Sequence, residues 1–280
     1  MTRLPESETA SAGESAFAAA LREGRFPVAL EITPPRELRP EILLRRARLL
    51  GARAQAVHVI QRGDRVPSLE ASLLLADAGF EAVWHVVNRG RPRAEIESDA
   101  RRAAAAGLRS ALCIRGEGDD KDGPATPRVR EVVALLRDSC PDMRVGVTMN
   151  QYGPRDRVLH NLVRKLDAGA TLVQTQPVFD GAAFDALAAE VRSRAPAVSI
   201  VPMLMPCVPA DTARRIARRL GIRPPGHDSE RAAWEDFSAK LRALATSPLA
   251  DGVAILTPRA DPPPGFAERL VAALDDALDR

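Results

Sequence analysis

The sequence lacks the features of a cross-linked scaffold, a membrane protein or a nucleic-acid binder. Its 280 residues hold three cysteines, Cys113, Cys140 and Cys207, which are widely spaced and form no CxxC pair. A disulfide framework or a thiolate zinc site is therefore not expected, and buried free thiols in a reducing cytoplasm are. No apolar run reaches the length of about 18 residues that a bilayer demands, so no membrane span is expected. The opening MTRLPESETASAGES is polar and acidic and has no apolar stretch of the kind a signal peptide carries. The 40 Lys and Arg nearly balance the 37 Asp and Glu, leaving a net charge of +3 without a basic block, and nucleic acid is not an expected partner. There is no GxGxxG run, no P-loop and no spaced His/Asp set, so no metal site is read from the sequence.

What remains is the composition of a soluble globular protein, 45% apolar and 28% charged, and a cytoplasmic location is expected. Residues 1–13 are rich in Ser, Thr, Glu and Ala and are expected to be a mobile tail. From residue 14 to 280 the chain alternates short β-rich runs with Ala/Leu/Arg-rich segments of helical period. The strand candidates are 28–32, 55–60, 81–86, 110–115, 143–149, 171–176, 198–204 and 252–257. Helix candidates fall at 14–23, 40–51, 67–79, 93–107, 127–139, 155–168, 181–194, 209–220 and 264–279. An extra amphipathic helix is expected near 229–246, between strands seven and eight. Gly51, Gly79, Gly107, Gly169 and Gly221 stand where helices should close. Eight strands, each followed by a helix and apolar on both faces, predict a single-domain (β/α)8 barrel with a short N-terminal extension. An open doubly wound sheet would show a similar alternation, and the count of eight favours the barrel.

In such a barrel the active site lies at the C-terminal ends of the strands. The polar residues there are Glu31 with Thr33, His58 with Gln61, His85 with Asn88, Arg115 with Glu117, Thr148 with Asn150, Thr175 with Gln176, and Thr257 with Arg259. Glu31 carries the most information, because it interrupts the apolar run Val28-Ala29-Leu30-Glu31-Ile32. A buried carboxylate costs several kcal/mol unless it pairs or protonates, and apolar walls raise its pKa towards that of a general acid. A structural carboxylate paired with an arginine is the alternative. Arg115-Gly116-Glu117 closes strand four with a planar cationic fork, a glycine that permits close approach, and a second carboxylate; a surface turn is the alternative. Asn161, Arg164 and Lys165 share one side of a helix. They suit a diphosphate or ribose, or are only a solvated face.

Several of these patterns, in this order, resemble the methylenetetrahydrofolate reductase family. They are Ala29-Leu30-Glu31-Ile32-Thr33-Pro34-Pro35; His85; Cys113-Ile114-Arg115-Gly116-Glu117; Asn161 to Lys165 with Asp167-Ala168-Gly169-Ala170; Gln174-Thr175-Gln176-Pro177-Val178-Phe179-Asp180; and Val201-Pro202 with Pro206. The resemblance covers roughly residues 26–225. It implies a barrel that reduces methylenetetrahydrofolate with NAD(P)H, hydride passing through bound FAD. It further implies Glu31 as catalytic acid, Glu117 and Gln176 as substrate contacts, and His85, Arg115, Gly116, Asn161, Arg164 and Lys165 as flavin contacts. The sequence departs from the family at Glu117, which replaces an aspartate, and at Ile60, Asn150, Ala210 and Thr257-Pro258-Arg259-Ala260-Asp261. Because these departures fall on flavin and substrate contacts, a flavin-independent reductase stays open. So does a folate- or corrinoid-pathway binding or partner protein without redox activity. The choice between NADH and NADPH and the formation of a homo-oligomer are likewise open.

Overall fold

The computed structural model describes residues 15–116 and 126–279; the expected mobile tail and Glu117 lie outside the described residues. Eight parallel strands close into a barrel in the order β1-β2-β3-β4-β5-β6-β7-β8. They are β1 Val28–Ile32, β2 Ala56–Val59, β3 Ala82–Val87, β4 Ser110–Ile114, β5 Arg144–Met149, β6 Leu172–Pro177, β7 Ser199–Leu204 and β8 Val253–Leu256. A helix, α1 (Ala16–Arg22), precedes them. The outer ring follows as α2 (Pro40–Ala47), α3 (Ser68–Asp77), α4 (Arg93–Ala105), α5 (Val129–Ser139), α6 (Arg155–Asp167), α7 (Gly181–Arg194), α8 (Ala210–Arg219) and α10 (Phe266–Leu278).

The extra helix, α9 (Glu230–Ala245), lies between α8 and β8. Ser229 caps it by accepting from the Ala232 amide at 3.1 Å. It buries Trp234, Phe237, Leu241 and Leu244, and Trp234 meets Phe266 of α10 with ring centroids 5.3 Å apart. All five glycines expected to close helices take positive φ. The segment expected as one helix over 40–51 stops at Ala47, and a single 3-10 turn follows at Gly51–Arg53.

Side chains alternate across each strand, so the barrel has two apolar regions. The outward-facing residues, with the helices, form the larger core. Inside, Ala29, Ala56, Val83, Leu112, Leu172, Val201 and Ala254 form a separate layer together with Phe17 of α1. Ala29 is in register with Ala56 on one side and Ala254 on the other, and these three small side chains leave room for the Phe17 ring. Helix α1 thus plugs the N-terminal end of the barrel. It is held there by the Phe17 amide, which donates to Glu81 Oε2 at 3.0 Å. On β5 the inward position is Gly146, whose absent side chain would press on Leu112 and Leu172 at 3.1 and 3.0 Å.

Candidate active site

Two residues further along each strand, the next inward layer comprises Glu31, His58, His85, Ile114, Thr148, Gln174, Met203 and Leu256. Five of these are polar, whereas barrel layers are ordinarily filled by branched apolar residues. The polarity of this layer, nearer the C-terminal face, marks the site.

Glu31 stands in register with His58 on one side and Leu256 on the other. Its carboxylate accepts from Gln174 Nε2 across the lumen at 2.9 Å. Burial pushes its pKa up from 4.5 to about 7, and the Gln174 hydrogen bond only partly opposes this. Near neutral pH the group is therefore poised between acid and base forms, as a proton donor requires. Gln174 Oε1 is buried and has no partner among the described residues.

His58 and His85 are both buried. His58 Nδ1 and His85 Nε2 lie 3.2 Å apart. Desolvation lowers the pKa of His58 to about 3 and that of His85 well below its usual value, with His58 adding repulsion. Both rings are therefore neutral at pH 7. Ser68 ties the two strands together, donating to the Val59 carbonyl at 2.7 Å and accepting from the His85 amide at 3.0 Å. Taken singly, one donor atom each from Glu31, His58 and His85 falls within 4.8 Å of the others.

The strand-exit loops are fixed by side chains that sequence patterns did not single out. Arg46 of α2 is buried; it donates to the Thr33 carbonyl at 2.8 Å and to Asp261 Oδ2 at 2.7 Å. It therefore joins the Pro34-Pro35 exit of β1 to the loop after β8. Gln151 brackets Gln176, donating to its carbonyl at 2.9 Å and accepting from its amide at 3.1 Å. The Tyr152 hydroxyl donates to the Pro177 carbonyl and accepts from the Phe179 amide, each at 2.8 Å. The Gln176 side chain is half-buried, over the same end of the barrel as Glu31.

The residues anticipated for a flavin lie mainly on the β4–β5 side. Arg115 is exposed where β4 ends, and Asn161 and Arg164 are exposed on α6. Lys165 is half-buried; its amine donates to the Thr148 carbonyl at 2.9 Å, and desolvation lowers its pKa. Gly116 has φ +90°, and a Cβ there would sit 2.5 Å from Val87 Cγ1, so the packed wall by itself demands glycine. This cationic and amide-bearing side suits a diphosphate. His85 faces the lumen instead, engaged with His58. Among the described residues no helix is long and apolar enough to cross a membrane.

A closed parallel barrel with a protonatable carboxylate in its lumen, below the C-terminal rim, defines the (β/α)8-barrel class in which active sites occupy that rim. Within it, the chain belongs to the methylenetetrahydrofolate reductase family, whose family model matches residues 16–257. A Caenorhabditis elegans protein described as a probable methylenetetrahydrofolate reductase (NADPH) is 25% identical over 177 residues, 59% of this chain. The match spans only 26% of that relative's length. Among solved structures, a 2,3-dimethylmalate lyase of the PEP mutase/isocitrate lyase superfamily aligns with TM-score 0.50 and 10% identity, over 93% of this chain and 83% of that one. A putative lyase/mutase from Burkholderia cenocepacia J2315 aligns with TM-score 0.50 and 18% identity, over 94% and 85%. At such identities the likeness is one of fold alone.

Proposed function

We propose that the protein reduces 5,10-methylenetetrahydrofolate to 5-methyltetrahydrofolate at the expense of NAD(P)H, with Glu31 as the general acid. The supporting observation is the Glu31 carboxyl group, buried in the lumen, with its pKa raised to about 7 and a single amide donor from Gln174. The reaction consumes one hydride and one proton. Protonation of a ring nitrogen of the folate opens the five-membered ring to an iminium cation, and hydride then adds to its methylene carbon. Glu31 supplies that proton and, once ionised, is an anion in a poorly hydrated lumen that favours the cation. Gln176, its backbone clamped by Gln151, presents its amide to the folate and the nicotinamide. Glu117 holds the amino-pyrimidine edge of the pterin.

Bound FAD would supply a hydride carrier between the nicotinamide and the folate. Arg115, Asn161, Arg164 and Lys165 would hold its diphosphate and ribose, and Gly116 and His85 are the remaining flavin contacts of this reading. A second reading, direct hydride transfer from the nicotinamide without flavin, is favoured by the engagement of two of these groups within the protein. Lys165 is bonded to the Thr148 carbonyl and His85 to His58. One experiment tests both readings. The purified protein is examined for flavin absorbance and assayed for NAD(P)H oxidation dependent on methylenetetrahydrofolate. Yellow protein with turnover supports the flavin route, and colourless protein with turnover supports the direct one. Folate binding without turnover in the presence of added FAD refutes the reductase reading.

A further inference from the structure

We propose that Glu31, His58 and His85 form a binding site for a first-row divalent transition metal, with Zn2+ as the reference occupant. They are the one grouping of three His, Cys, Asp or Glu donors at such spacing among the described residues, and all three are buried. The residues stand one β/α unit apart on three consecutive strands. No local sequence spacing of ligands could reveal them, and the barrel itself assembles the set.

The distances suit a metal. Zinc–imidazole bonds of about 2.0–2.1 Å at tetrahedral angles place two ligand atoms roughly 3.3 Å apart. His58 Nδ1 and His85 Nε2 already stand 3.2 Å apart, which is the edge of such a coordination polyhedron before any metal enters. Glu31 closes the third edge by turning a flexible side chain. The histidine backbone is held by Ser68, bonded to Val59 and His85 at once, so the pair does not have to be assembled on binding.

A second observation comes from Gln174. Its Nε2 donates to Glu31, the outer-shell support that metal-binding carboxylates usually have. Its Oε1 is a buried acceptor without a partner among the described residues, and a water completing the metal's coordination would donate to it. Two neutral imidazoles and one carboxylate, without a thiolate, select zinc, cobalt, nickel or iron(II) over magnesium and calcium, which prefer all-oxygen shells. Cys113, on β4, packs in the outer core rather than the lumen. Because the site uses Glu31, an occupied site withholds the carboxyl group from proton donation. Metal binding stands independently of the reductase reading, and only this consequence for turnover rests on it.

The test is made on the full chain, stripped with a chelator and titrated with Zn2+ by calorimetry and with Co2+ by visible absorption. One Zn2+ per chain, Co2+ ligand-field bands and no response to Mg2+ are expected. His58→Asn and Glu31→Gln should each weaken Zn2+ binding by at least about tenfold, since altering even an outer-shell partner costs that much. The far-UV circular dichroism of both variants should be unchanged. The chain has four histidines, and the double variant His160→Ala/His227→Ala, which removes the two outside the cluster, should leave Zn2+ affinity intact. Should His58→Asn fail to fold, the near-isosteric Glu31→Gln decides. The proposal is overturned if the stripped protein shows no saturable Zn2+ binding, or if binding survives Glu31→Gln and disappears in the His160/His227 variant. Turnover, measured on the same metal-free sample, bears on the reductase reading separately.

Discussion

Replacing Glu31 by Gln should move activity and stability in opposite directions, and the stability arm can be worked from the structure. In the fold the carboxyl group keeps its proton up to about pH 7, against an ordinary value of 4.5. Between those two values the folded chain binds more protons than the unfolded one, so stability falls as pH rises through this window and levels off above it. At about 1.4 kcal/mol per pKa unit, the full cost of ionising Glu31 in place is roughly 3 kcal/mol. The substituted amide has no proton to lose, and its carbonyl oxygen still accepts from Gln174. His58 and His85 face the same group, and their neutral rings are common to both proteins, so they drop out of the difference. In chelator-containing buffer, the variant should match wild type in thermal midpoint near pH 5. It should exceed wild type by about 5 °C at pH 8.5, on the usual scale for a chain of this size. Over the same range folate turnover should be lower by about a hundredfold or more, the scale of a lost general acid. Reduction of any bound flavin by NAD(P)H should survive. A midpoint difference that does not change with pH would mean that Glu31 is not held protonated, and wild-type turnover in the variant would remove it as the acid.

Arg164→Ala, at an exposed position, should weaken FAD retention in reconstitution titrations without changing the thermal midpoint. Lys165→Ala should weaken retention too, and should also cost about 1 kcal/mol of stability by uncovering the Thr148 carbonyl. Unchanged FAD affinity in both variants would leave this helix face as ordinary surface. Gly116→Ala should destabilise the protein by about 1–3 kcal/mol in denaturant titration, because alanine is strained at φ +90° and collides with Val87; a neutral result would show that the wall can move. Glu117→Asp should lower folate turnover and Glu117→Gln should lower it further, since charge is lost as well as reach. Near-neutral kinetics in both would shift weight to a folate-binding role without reduction.

The barrel was legible in the sequence because its signals are local. Eight apolar runs, eight following helices and five closing glycines are each written within a dozen residues. The extra helix α9 was readable from its own amphipathic stretch. Glu31 was visible for a related reason, since a carboxylate inside an apolar strand is anomalous wherever the strand sits. What could not be read is what the closed barrel brings together. Gln174 lies within a recognised stretch, yet nothing local says that its amide crosses the lumen to a residue 143 positions earlier. His58 and His85 each appeared as a polar residue near a strand end, and only the register of β2 and β3 makes them a pair. Arg46 looked like one arginine among many on an amphipathic helix; its burial between two exit loops is a property of the assembled seam.

That seam also sets an order of events. Strand β1, which bears Glu31, is flanked on one side by β2 and on the other by β8, more than two hundred residues later in the chain. The Val253 amide bonds to the Pro27 carbonyl at 2.9 Å, and Arg46 finds Asp261 across a separation of 215 residues. During synthesis, the strand carrying Glu31 therefore emerges early and waits with one edge open until β8 follows. Arg46 emerges long before its carboxylate. Closure of so long a loop is entropically costly and comes late. A chain interrupted before residue 253 can assemble much of the wall, but not the enclosed, weakly hydrated setting that gives Glu31 its proton affinity. The raised proton affinity of Glu31 is thus a property of the closed barrel, and a half-made barrel lacks it.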